Sequence, residues 1–146
     1  MITRAIKKAI INAKAKGWDK MYWAFDIHDT IVKPNWSVKE IPTEFYPLAK
    51  EALQLISNRD DVVMILYTCS HPHELEKYVN FFRLHEIYFD YVNENPEVES
   101  EQYGYYERKP YFNVLFEDKA GFDPYEDWGP VMKVLKSDEF KHPLSN

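Results

Sequence analysis

The 146-residue sequence predicts an α/β fold, a mostly parallel sheet sandwiched between helices, on three observations. Short apolar runs alternate with segments whose apolar residues recur at helical spacing, the pattern of parallel strands joined by right-handed crossovers. Each apolar run ends in a polar cluster, so the clusters gather along one edge of the sheet, where open α/β sheets place their ligands. Hydrophobic residues make up 45% of the chain and aromatics 16%, enough for a packed core.

The elements follow in order. A helix runs from a Thr3 cap to Lys16, with Gly17 as its stop; Ile2, Ile6, Ala9, Ile10 and Ala13 form its apolar face. It occupies most of an N-terminal segment, residues 1–20. The first strand spans Met21 to Ile27 and runs into Asp26-Ile27-His28-Asp29-Thr30. Residues 31–43, with Pro34, Trp36 and Pro42, are too short and broken for a domain and suit a small hairpin over the strand end. Helical spacing returns from Glu44 to Ser57. The buried strand Val62–Tyr67 ends at Thr68-Cys69-Ser70, and Pro72 opens a helix reaching about His85. Further strands are expected at Ile87–Val92 and Phe112–Phe116, the latter ending at Glu117-Asp118. A loop through Asp123 leads to a last helix at Asp127-Trp128-Gly129, and residues 137–146 read as a frayed tail.

At this length the expectation is one domain over residues 1–146. No apolar stretch approaches the roughly 18 residues that span a bilayer, so no membrane partner is expected. The N-terminus lacks a signal-peptide core, and Cys69 is the sole cysteine, which together favour a cytoplasmic protein. A net charge of −6 argues against duplex nucleic acid as a partner. With four glycines and no Gly-rich phosphate loop, a nucleotide-grasping P-loop is excluded. Cys69, His71 and His73 invite a zinc reading, but their spacing is unlike that of structural zinc sites and Pro72 opens a helix between the histidines.

Four clusters, each at a strand end, match in order the four motifs of the haloacid dehalogenase-like superfamily. Asp26-x-His28-Asp29-Thr30 resembles the first, Thr68 the second, Lys109 the third, and Glu117-Asp118 with Asp123 the fourth. Lys109, the acidic pair and Trp128-Gly129 also resemble small, nearly capless bacterial members. The resemblance implies a Rossmann-like three-layer α/β/α sandwich with a minimal cap or none, residues 31–43 serving as flap. It implies a magnesium-dependent phosphatase acting on a small phosphomonoester, with sugar phosphates and nucleotides both in range. Asp26 would be nucleophile and metal ligand, forming an aspartyl phosphate. The His28 backbone carbonyl and Asp118 would complete the protein ligands to Mg2+, with Asp123, or failing it Glu117, holding a metal-bound water. Thr68, Cys69 through its amide, and Lys109 would bind phosphoryl oxygens. Asp123 precedes Pro124 and serves equally well to shape the loop.

The sequence departs from the family at His28, which stands where the phosphatases carry a second aspartate. Imidazole can replace that acid and base at neutral pH. The alternative is a catalytically weakened phosphate- or metal-binding, or regulatory, protein. Trp36, Tyr103, Tyr105 and Tyr106 are the aromatic candidates for stacking on a sugar or base.

Overall fold

The computed structural model describes residues 1–37, 39–99, 102 and 109–144. Tyr103, Tyr105 and Tyr106 lie outside the described residues. The chain order is α1 (Ile2–Lys16), β1 (Met21–Phe25), α2 (Ala49–Ser57), β2 (Val62–Leu66), α3 (Pro72–Leu84), β3 (Tyr91–Val92), β4 (Val114–Phe116) and α4 (Trp128–Lys136). A 3-10 turn at Asp118–Ala120 follows β4. The strands form one four-stranded sheet in the order β3-β2-β1-β4, each pair parallel. This is the α/β/α, Rossmann-like sandwich that the alternating pattern predicts.

β1 pairs on both sides, with Met21–Phe25 against Val62–Leu66 and Trp23–Phe25 against Val114–Phe116. A strand covered on both faces needs a continuous apolar run rather than an alternating one, and Met21-Tyr-Trp-Ala-Phe25 supplies it. Helix α4 packs against both α1 and α2 beside the sheet. Between them and the strands, Phe116 stacks on Phe25 at 4.4 Å and on Trp128 of α4 at 5.7 Å. α3 contributes the fully buried Tyr78 and Phe82 to the same core. The opposite sheet residues Ala24, Val63 and Ile65 are buried too, and Tyr111 lies edge-on to Tyr22 on the way into β4. α1 stops at Gly17, whose φ of 71° favours a residue without Cβ.

Several boundaries differ from the sequence reading: α1 already begins at Ile2, ahead of the expected Thr3 cap, and β1 ends at Phe25. The second helix begins at Ala49 rather than Glu44, because Tyr46 precedes a proline and is pushed out of helical geometry. Phe45 instead bridges Val32 antiparallel, and the Lys33 amide donates to the Glu44 carbonyl at 2.9 Å. These contacts close residues 31–46 into a short hairpin-like loop. Trp36 at its tip is 92% exposed, so it does not anchor that loop to the core. The edge strands β3 and β4 are shorter than expected because side chains take over ladder positions. The Asp90 carboxylate accepts from the Met64 amide at 2.8 Å, and the Asn113 side-chain oxygen accepts from the Tyr22 amide at 2.7 Å.

The expected frayed tail is corrected over residues 137–144, residues 145 and 146 lying outside the described residues. Phe140 and Leu144 are buried, and the chain end is clasped by a buried ion pair. Arg59 donates from Nε and Nη2 to the Asp61 carboxylate, each at 2.8 Å, and from Nη1 to the Phe140 carbonyl at 2.7 Å. The Leu144 amide donates to Asp61 Oδ2 at 2.9 Å. The charges of Arg59 and Asp61 thus serve a segment some 80 residues away.

Candidate functional site

Parallel pairing on both sides of β1 delivers Asp26 to the carboxyl edge of the sheet, where its amide still donates to the Phe116 carbonyl at 2.9 Å. The chain then turns sharply: the Ile27 carbonyl accepts from the amides of Thr30, Ile31 and Val32. Asp29 sits in the turn at φ 58°, a conformation that aspartate tolerates better than most residues. Its carboxylate accepts from the Tyr46 hydroxyl at 3.1 Å, and Asp29 lines the same cavity as Asp26. Burial, and then that bond to Asp29, push the Tyr46 hydroxyl up to about 12.

Thr30 is fully buried and joins three elements. Its hydroxyl oxygen accepts from the Asp118 amide at 3.2 Å, and its carbonyl accepts from Trp128 Nε1 at 2.8 Å. The loop after β1, the end of β4 and the start of α4 are thereby held in one register. That register brings Asp118 and Glu117 to Asp26, with one carboxylate oxygen from each within 4.8 Å of the others.

Three half-buried carboxylates this close repel one another. The Asp26 carboxyl is raised from the ordinary 3.8 to about 7, chiefly by burial, then by the charges of Glu117 and Asp118, against a backbone hydrogen bond at Ile27 that lowers it. A divalent cation would relieve that repulsion, and hard carboxylate oxygens suit magnesium or calcium rather than a soft metal. The cluster is therefore able to hold a divalent metal.

It opens onto a cavity of about 640 Å³ lined by Asp26, His28, Thr68, Cys69, Ser70, Glu117 and Asp118, among others. Thr68 is held from behind by Asn93, whose side chain accepts from the Thr68 amide at 2.8 Å and donates to its carbonyl at 2.9 Å. The Thr68 hydroxyl lies 2.9 Å from that of Ser70. Cys69 is exposed on the cavity wall. His28 also lines the cavity, and its Nε2 shares a hydrogen bond of 2.7 Å with the Tyr78 hydroxyl. Burial, and then the charge of Glu74, push the Tyr78 hydroxyl up to about 12, so it stays a neutral phenol.

Two candidates from sequence stand apart. Lys109 is exposed and does not line this cavity; Lys119, on the turn after Asp118, does. Asp123 is exposed in the loop before α4, where its carboxylate accepts from the amides of Tyr125 and Glu126 at 2.9 and 3.2 Å. Glu117, ranked below Asp123 in the sequence reading, is the third carboxylate of the cluster. Asn93, Ser70, Tyr78 and Lys119 were not singled out. Asn93 alone carried a signal, as a polar residue directly after a strand.

No family model and no curated protein matches the chain. Among solved structures it is similar to a conserved protein coded by a locus from Bacteroides thetaiotaomicron, at 23% identity and a TM-score of 0.62. The match covers 80% of this chain and 90% of that one. The two share a fold. At this identity the likeness carries nothing about activity, and no helix among the described residues is long and apolar enough to cross a membrane.

Proposed function

We propose that this protein is a magnesium-dependent phosphohydrolase of the haloacid dehalogenase-like type, cleaving a small phosphomonoester through a covalent phosphoryl group on Asp26. The observation that carries the reading is the meeting of Asp26, Glu117 and Asp118 within 4.8 Å at the mouth of the cavity that Thr68 also lines. A bound divalent cation supplies charge neutralisation between the carboxylates and the dianionic ester.

The chain's own residues do the rest. An Asp26 oxygen forms a bond to phosphorus as the ester P–O bond breaks, and protonated His28 gives its proton to the departing oxygen. Neutral His28 then takes a proton from water, which displaces Asp26 and releases inorganic phosphate. Glu117 and Asp118 would hold the cation with Asp26 and the His28 carbonyl. The Thr68 hydroxyl and the Cys69 amide donate to phosphoryl oxygens. Lys109 was the cation expected for that role, and Lys119 is a second candidate on the cavity wall. Asp123 remains a candidate for ordering a metal-bound water.

Hydrolysis of p-nitrophenyl phosphate with magnesium, against the same protein in EDTA, tests the reading. Turnover that requires the metal supports it. Binding of magnesium and vanadate without turnover would instead make this a phosphate-binding protein.

A further inference from the structure

Tyr78 projects from the inner face of α3 and is fully buried, yet its hydroxyl meets Nε2 of His28 at 2.7 Å. The two rings stand edge-on, at 84° with centroids 5.6 Å apart. A buried tyrosine finds a partner for its hydroxyl. Here the partner is the side chain that enters the cavity beside Asp26. On the cavity wall nearby, the Ser70 hydroxyl lies 2.9 Å from that of Thr68.

We propose that Tyr78 is a positioning residue that holds His28 by Nε2, leaving Nδ1 as the nitrogen that works in the cavity. Which nitrogen of an imidazole carries the hydrogen is set by the bond the other one makes. His28 lines the cavity while Tyr78 does not, so the held edge of the ring points into the protein and the free edge points out. The bond to Tyr78 holds the neutral ring in a single tautomer and leaves Nδ1 at the cavity. What Nδ1 does there rests on the phosphohydrolase reading; the holding of Nε2 does not.

The experiment is nitrogen-15 NMR of wild type, His28→Gln and Tyr78→Phe, with the His28 ring assigned by difference against His28→Gln. Wild type is expected to show His28 almost wholly as one tautomer, and Tyr78→Phe, which keeps the packed ring, to show a tautomer mixture. Turnover of an alkyl phosphate by Tyr78→Phe should fall roughly tenfold in kcat with little change in KM, part of the 10²–10⁴-fold that acid–base help contributes. A wild-type ring that averages both tautomers overturns the proposal even if Tyr78→Phe does not fold. An unchanged tautomer in folded Tyr78→Phe overturns it as well. If wild type proves inactive, the phosphohydrolase reading fails and the NMR result still decides the role of Tyr78.

Discussion

Asp26 carries a conflict that the rest of the cluster makes worse: a half-buried carboxyl beside two others, raised to about 7. An acid whose pKa is raised by folding binds its proton more tightly in the folded state. Its contribution to stability is therefore fully present below about pH 3.8 and is lost as pH rises to about 7. Asp26→Asn removes the charge at constant shape. Discounted for solvent screening, it should stabilise the metal-free protein by about 1 kcal/mol at pH 8, and not at pH 4. Thermal melts in EDTA at the two pH values check this; equal shifts at both would contradict it. The cationic role is settled at the same scale. Lys109→Ala and Lys119→Ala should be compared by vanadate affinity. The variant that loses about tenfold identifies the lysine that faces the phosphoryl group. Unchanged affinity in both would remove lysine from the site.

Between elements, Thr30 is the joint. Its hydroxyl receives the Asp118 amide and its carbonyl receives Trp128 Nε1, so one residue aligns β1, β4 and α4. Thr30→Val keeps the volume and leaves the Asp118 amide without its acceptor. It should cost about 1–3 kcal/mol and weaken magnesium binding about tenfold or more, as loss of a partner behind a metal ligand does. Denaturant melts and calorimetric titration measure the two effects. At this scale the sequence was informative wherever a signal is local. β1 and β2 were legible as unbroken apolar runs, and Asp26, Thr68 and Asp118 because each follows such a run. Pro72 marked the start of α3. The start of α2 was misread because six apolar positions at helical spacing, Phe45 to Ile56, outweighed the effect of Pro47 on Tyr46. Asp90 and Asn113 shortened the edge strands by mimicking backbone, which no periodicity reports. Tyr78 was legible only as part of an apolar helix face; its bond to His28 exists only once α3 is packed beneath β1.

For the whole molecule, the chain end is part of the fold. Asp61 is buried with Arg59, and together they hold the Phe140 carbonyl and the Leu144 amide. Asp61→Ala would leave a buried guanidinium and an amide without their acceptor, a loss of about 3–5 kcal/mol. A melting temperature within a degree or two of wild type would show that the clasp contributes nothing. The site lies at the carboxyl edge of the sheet, so weakening this clasp should lower stability without changing the magnesium affinity of the folded protein. The architecture thus separates what keeps the sheet closed from what gathers its polar edge.

The proposed phosphohydrolase chemistry has one consequence more direct than any rate: it would place a phosphoryl group on an Asp26 oxygen. The protein should be mixed with an activated phosphomonoester and magnesium, quenched in acid, reduced with borohydride and digested for mass spectrometry. The account predicts homoserine in place of Asp26, formed only with the metal. Magnesium-dependent turnover under the same conditions, with Asp26 recovered unmodified and Asp26→Asn fully active, would contradict it.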